Sequence, residues 1–313
     1  MARRRWRRRP AAMAAAAHPA AKPPRAVIPR RLLAALLPAA LLLALLSGCA
    51  SGTMRGVDAH PPTKGLLHVL QQAGQMGNVS DRGYRVEVEV AEGQPEGGRE
   101  TELRLRVLNP SGQPAEDFAE DMTKLMHFIV VSKDLAEFQH LHPTYEGGGA
   151  FSLKLTFPHG GPFLLIAEFM PDGKGLTVYK TWIEVGGAKQ EANPPVPSAA
   201  PSIVADGLEV KLSSMPSTGE LKAGEMAMLD FSVRKAETGE RIVLEPYLGT
   251  PGHCVILDAN AQQYLHVHAA AEMSTGSSVM FHATFPKAGV YKLWAQFQYE
   301  GKVITAPFVV NLS

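Results

Sequence analysis

The chain has 313 residues, enough for two ordinary domains with cores of their own, and a formal net charge of +1. That balance is uneven: residues 1–48 hold ten Lys/Arg and no acid, so the remainder carries 21 basic against 30 acidic residues, a charge of −9 with His neutral. A body this acidic argues against nucleic acid as a partner, because phosphates require the opposite sign.

The chain opens on a basic stretch ending at Arg30-Arg31, followed by an apolar run from Leu32 to Leu46 and then Ser47-Gly48-Cys49. A charged region, a short apolar region and small residues make a secretory signal, and the run is shorter than the ~20 residues that a spanning helix requires. Leu46-Ser47-Gly48-Cys49 resembles the lipobox of bacterial lipoproteins. The resemblance implies that residues 1–48 are a lipoprotein signal peptide and that Cys49 carries lipid as the mature N-terminus. The body would then sit outside the cytoplasm, held to the membrane. The one other cysteine, Cys254, would have no partner, so no disulfide within the chain is expected. Residues 49–80, rich in Gly, Pro and small polar types, read as a flexible tether with a possible short helix at Gly65–Ala73.

From Tyr84 the hydrophobic period becomes two. Tyr84–Val90 and Thr101–Leu108 alternate apolar with charged, the mark of strands with one wet face. Further strands are expected at His127–Ser132, Phe138–His142, Phe151–Phe157, Phe163–Phe169 and Thr177–Val185, separated by turn residues such as Gly147-Gly148-Gly149. About seven strands in about 105 residues suggest an immunoglobulin-like β-sandwich. A Pro/Ala-rich linker, 187–202, follows, and the arrangement restarts. Leu208–Leu212, Met228–Arg234, His253–Leu257, Tyr264–His268, Val279–Phe285, Val290–Phe297 and Val303–Val310 repeat the order. The expected fold class is therefore all-β: two tandem immunoglobulin-like antiparallel β-sandwich domains, at 81–186 and 203–313.

Each repeat carries the same histidine pattern. His127, His140 and His142 form His-x12-His-x-His, and His253, His266 and His268 repeat it 126 residues later. Residues i and i+2 of a strand share a face, and a partner on the neighbouring strand lies about 5 Å away, so three imidazoles can converge when the hairpin loop is even-numbered. Three neutral imidazoles with a fourth position open suit Cu(II) or Zn(II). Soft or acidic neighbours considered as additional ligands are Met126, Met170 and Met280, together with Glu146 and Glu272. Cys254 is excluded because alternation points it away from His253. His with Met in an extracytoplasmic setting favours copper, with zinc as the alternative. The competing expectation is that the imidazoles merely pack or hydrogen-bond. His60, His68, His159 and His282 have no counterpart and read as surface residues.

Glu146 and Glu272 each follow the His-x-His by four residues. His-x-His-x3-Glu resembles the first metal motif of cupins, which implies a metal-dependent enzyme of bicupin type as an alternative. The later His of cupins is missing after Pro158-His159-Gly160 and after Pro286-Lys287-Ala288, the second of which also lacks the Gly, and the upstream Gly positions are Asp134 and Asn260. The stretches MHFIVVSKDLAEFQHLHP and PYLGTPGHCVILDANAQQYLHVH are similar to domains of the YtkA/FixH-like β-sandwich group. That resemblance covers most of 84–310, once per repeat, and implies an envelope protein of the kind found near copper and other heavy-metal handling systems. The leading expectation is a lipid-anchored, non-enzymatic protein that buffers a metal ion or transfers it, with a metal transporter or metallochaperone as partner. The other alternative is a structural or partner-binding envelope module without metal.

Overall fold

Alternation organises the whole molecule. The computed structural model describes residues 80–197, 201–215 and 220–313; the expected signal peptide, Cys49, the tether up to residue 79 and its short helix lie outside them. In the first repeat the strands are β1 (Arg85–Val90), β2 (Glu100–Leu108), β3 (Phe118–Ala119), β4 (Met126–Ser132), β5 (Phe138–Leu141), β6 (Thr144–Gly147), β7 (Ala150–Thr156), β8 (Gly161–Pro171) and β9 (Thr177–Val185). In the second they are β10 (Ser202–Ala205), β11 (Leu208–Met215), β12 (Met226–Lys235), β13 (His253–Asp258), β14 (Tyr264–His268), β15 (Ser278–Thr284), β16 (Gly289–Tyr299) and β17 (Lys302–Leu312). The protein is all-β, two tandem immunoglobulin-like sandwiches. Strands β3, β6 and β10, which periodicity did not mark, are two to four residues long.

Each sandwich packs a four-stranded sheet on the sheet that carries its histidines. In the first repeat the order β1-β2-β7-β6 faces a sheet built from β3, β8, β4 and β5, with β9 on β8; in the second, β10-β11-β12-β15 faces β14-β13-β16-β17. Met126, Phe128 and Val130 of β4 and Phe163, Leu165, Ala167 and Phe169 of β8 fill the first core. Cys254 and Ile256 of β13 and Tyr291, Leu293, Ala295 and Phe297 of β16 fill the second.

The residues between these point the other way, and they are buried too. Ile129, Val131, Leu164 and Ile166 form a third apolar cluster with Val255, Leu257, Tyr264 and Trp294, joining the outer faces of the two histidine-bearing sheets. Phe138 stacks on Trp294 at 4.7 Å between centroids, 12° from parallel. Lys180 Nζ donates to Gln262 O and Lys292 Nζ to Leu135 O, each at 2.6 Å, across the same junction. A sheet covered on both faces explains the runs MHFIVVS and GPFLLIAEFMP, which are nearly continuous in apolar residues rather than alternating with charge. Among the described residues no helix is long and apolar enough to cross a membrane.

Candidate metal centre at the junction of the repeats

Strand parity decides which way the histidines face. His127 shares its side of β4 with Ile129 and Val131, and His253 shares its side of β13 with Val255 and Leu257, so both point into the junction rather than into a sandwich core. The β4–β5 register pairs Ile129 with His140 and Phe128 with Leu141; the β13–β14 register pairs Val255 with His266 and His253 with His268. These odd sums are the ones that bring three rings to one face. His127, His140 and His142 offer ring nitrogens that lie within 4.8 Å of one another, and so do His253, His266 and His268. The two triads also meet: the His127 ring is 5.0 Å from His266 and 5.9 Å from His253, and His140 is 5.3 Å from His266.

A tight turn precedes each triad and fixes its first imidazole. Asp121 and Lys124 exchange backbone hydrogen bonds at 2.9 Å around Met122 and Thr123, both in the left-handed region at φ 44° and 65°. Non-glycine residues adopt this conformation at a cost, and such strain gathers at functional sites. The equivalent turn in the second repeat runs from Tyr247 to Thr250 through Leu248 (φ 52°) and Gly249 (φ 79°). The carbonyl at the head of each turn is aimed at the histidine six residues on: His127 Nε2 lies 3.1 Å from Asp121 O, and His253 Nε2 lies 3.2 Å from Tyr247 O. Gly252 precedes His253 where a Cβ would fall 2.9 Å from Gln296 O, so only glycine lets β13 lie this close to β16.

The second imidazole of each triad is held by the opposite repeat. His140 Nδ1 lies 2.6 Å from Gln296 Oε1, and His266 Nδ1 lies 2.6 Å from Glu168 Oε1. Gln296 is oriented by its own amide, which donates to Thr305 Oγ1 at 3.1 Å. Asp121 O, Tyr247 O and the Gln296 amide oxygen can only accept, so the nitrogens of His127, His253 and His140 that face them must carry the proton of a neutral imidazole, and an ionised Glu168 requires the same of His266 Nδ1. The protons are thereby assigned: on Nε2 of His127 and His253, and on Nδ1 of His140 and His266. The remaining nitrogens are bare, and they face each other. His127 Nδ1 is 3.0 Å from His140 Nε2, and His253 Nδ1 is 3.2 Å from His266 Nε2. The third member of each set, His142 Nε2 or His268 Nε2, is buried without a hydrogen-bond partner.

Lone pair against lone pair at this distance is repulsive unless a cation lies between. Protonating a ring would supply one, but burial resists it at His140, His142, His253, His266 and His268. Burial first, then the neighbouring imidazoles, hold His140 and His253 well below the usual range. Burial, then His127 and Lys124, lower His142 to about 3. Burial, then the rings of His268 and others, lower His266, and burial also lowers His268. Burial raises Glu168, against the pull of His127 and His268. Asp121 is raised to about 6 by burial and by Glu168. Tyr264 is close enough to Glu168 for each to shift the other, yet no aligned hydrogen bond joins them, and Glu168 Oε2 and the Tyr264 hydroxyl are unpaired.

Other residues considered from sequence fall elsewhere. Met126 lies in the first core, on the opposite side of β4 from His127, and Cys254 lies in the second core, on the opposite side of β13 from His253. Met280 lies on β15, in the sheet that carries no triad. Glu146, on β6, is exposed and accepts from Ser152 Oγ at 2.6 Å, and Glu272 is exposed on a short 3-10 turn. Met170 shares the Glu168 face of β8 by alternation, the one soft side chain of these directed outward from the triad-bearing sheets. His282 is 5% exposed rather than superficial, with Nδ1 unpaired. Sequence reasoning missed Glu168 and Asp121. A lone acid inside GPFLLIAEFMP was a usable signal for the first; nothing local marked the second.

Two immunoglobulin-like sandwiches sharing six junctional imidazoles define a tandem β-sandwich protein with a candidate metal centre between its repeats. The chain belongs to the family described as Domain of unknown function (DUF8832), which it matches twice, over residues 78–187 and 203–313. No curated protein sequence matches it. Among solved structures it is similar to the Escherichia coli adhesin FdeC (18% identity, 75% of this chain and 65% of that chain, TM-score 0.26). It is similar also to the Yersinia pseudotuberculosis adhesin InvE (11% identity, 75% and 61%, TM-score 0.24). A DUF4785 family protein from Legionella pneumophila shows 12% identity over 74% of this chain and 56% of that chain, at a TM-score of 0.26. The chain thus spans less than two thirds of the length of each of these structures.

Proposed function

We propose that this protein binds metal ions outside the cytoplasm, anchored through lipid on Cys49, with copper as preferred cargo and zinc as the alternative. It buffers the ion or passes it to a membrane transporter or metallochaperone. One observation carries the reading: in each repeat, backbone and side-chain acceptors leave the bare nitrogens of two imidazoles facing each other, with a third unpaired imidazole nitrogen beside them. Ligating histidines characteristically give their other ring proton to a carbonyl or carboxylate, which is what Asp121 O, Tyr247 O, Gln296 and Glu168 receive. With metal–nitrogen bonds of about 2.0–2.1 Å, nitrogens 3.0 and 3.2 Å apart subtend about 95–105° at a shared ion, suited to tetrahedral or tetragonal coordination. A linear two-coordinate ion would hold them about 4 Å apart. The lipobox-like leader supports the compartment, and the likeness to YtkA/FixH-like domains supports the cargo. The enzymatic alternative leaned on Glu146 and Glu272, both exposed and hence poor candidates for a buried general base.

The test is calorimetric titration of the intact chain with Cu(II), Cu(I) and Zn(II), beside a variant with all six histidines changed to Ala. Wild type should bind up to two equivalents and the variant none; equal binding would falsify the proposal. Because six truncations can undo the junction, His142→Ala with His268→Ala, the third ring of each triad, is the companion variant and should also lose binding. A second reading is favoured by the cross-repeat bonds to Gln296 and Glu168: the imidazoles could serve only to dock the sandwiches. It predicts a junction whose stability is indifferent to added metal.

A further inference from the structure

The duplicated site is not symmetric in charge. Glu168 and Gln296 occupy equivalent positions 128 residues apart, each serving the triad of the other repeat. His266 of the second triad is therefore held by a carboxyl, and His140 of the first by a neutral amide. Asp121 sharpens the difference. Its carbonyl serves His127, but its side chain crosses the junction, placing Oδ2 3.9 Å from the unpaired Nε2 of His268, with the two side chains 17% and 12% exposed. The equivalent residue in the second repeat is Tyr247, which brings no acid to the first triad.

Resting on the metal-binding reading above, the geometry points to a division of labour between the two triads. His253, His266 and His268, with Asp121 as fourth ligand and Glu168 behind His266, form the tight site for a divalent cation. His127, His140 and His142 form a weaker site suited to a singly charged ion, such as Cu(I) held three-coordinate by the imidazoles. An ion of charge +2 in the second triad is offset by two carboxylates contributed by the first repeat. The same ion in the first triad would have Glu168 opposite His127 on the neighbouring strand, but among the described residues no carboxylate pairs with a ring nitrogen of that triad, and the neutral amide of Gln296 stands behind His140. A carboxylate behind a ligating imidazole also makes that ring a stronger donor than an amide does. The fourth ligand needs a shift of about half an ångström, since two atoms bound to one tetrahedral ion lie about 3.4 Å apart. Both acids come from the first repeat, so filling the second site also ties the sandwiches together.

The experiment is a Zn(II) titration of the intact, metal-stripped chain, with Cu(I) delivered from a competing chelator in parallel. Wild type should take one Zn(II) at least tenfold more tightly than a second. Glu168→Gln should weaken the tight step by 10- to 100-fold and leave the weak step in place. Gln296→Glu, which adds a carboxyl rather than removing one, should strengthen the weak step. His268→Ala should abolish the tight step and His142→Ala the weak one, with Cu(I) binding following His142. Two Zn(II) steps of equal affinity in wild type, or a tight step untouched by Glu168→Gln in a chain whose circular dichroism is native, overturns this assignment while leaving metal binding intact. Absence of any binding by wild type overturns the metal-binding reading itself, and this inference with it.

Discussion

Acid should unfold the metal-free protein, because His140, His142, His253, His266 and His268 stay neutral in the folded state while the same residues of the unfolded chain do not. A histidine whose folded value is depressed contributes nothing above 6.5 and destabilises increasingly as the pH falls toward the folded value. For His142, lowered from 6.5 to about 3, the difference at a test pH of about 4.5 is two units, or about 2.7 kcal/mol, reduced to roughly 1–2 kcal/mol for its partial exposure. Asp121 acts oppositely. Its folded value is raised from 3.8 to about 6, so protonation favours the folded state across that window, by about 1–2 kcal/mol near pH 4.5. These two nearly cancel; Glu168, raised by burial, adds to the Asp121 side, and the sign is set by His140, His253, His266 and His268, four depressed imidazoles against that one carboxyl. Urea unfolding of chelator-treated protein followed by tryptophan fluorescence should show a midpoint that falls steeply between pH 6.5 and 4.5. A midpoint unchanged or rising over that interval refutes the reasoning.

Further consequences follow from the same junction. Trp294→Ala removes the stack on Phe138 and a side chain only 2% exposed, and should cost about 3–5 kcal/mol, splitting one unfolding transition into two. Saturating Zn(II) at 100 times its dissociation constant should stabilise the folded state by about 2.7 kcal/mol per ion, reversed by chelator; a melting temperature blind to metal would contradict this. The Cys254 thiol, fully buried in the second core and pushed far up by burial, should resist a thiol reagent in native protein and react at once in denaturant.

Much of the fold was legible in the sequence because sandwiches are written in period two. The strand at Tyr84–Val90 and the restart after the linker can be read from alternation and turn residues, whereas the register of the histidine hairpins hangs on a loop parity that the folded chain settles. Parity also turned Cys254 away from His253, and the same argument applied to Met126, one residue before His127, would have withdrawn it as a ligand. What alternation could not give was the cover on the outer face. MHFIVVS announces a strand buried on both sides, but only the folded chain shows that the other repeat buries it. The short strands β3, β6 and β10 hold too few residues to establish a period. Asp121 reaches the second triad through tertiary contact alone, so no local pattern betrays it. Glu168 stood out as an acid among apolar neighbours; a buried charge needs a partner, and the partner proved to be a histidine 98 residues away.

The most direct measurement is of the imidazole protons themselves. Two-bond proton–nitrogen correlation spectra of the metal-free protein should show His127 and His253 protonated on Nε2, and His140 and His266 on Nδ1. Added Zn(II) should then shift the bare nitrogen of each ring it occupies while those protons stay in place. Rings that carry their protons on the facing nitrogens, or spectra indifferent to zinc, would contradict the account at its base.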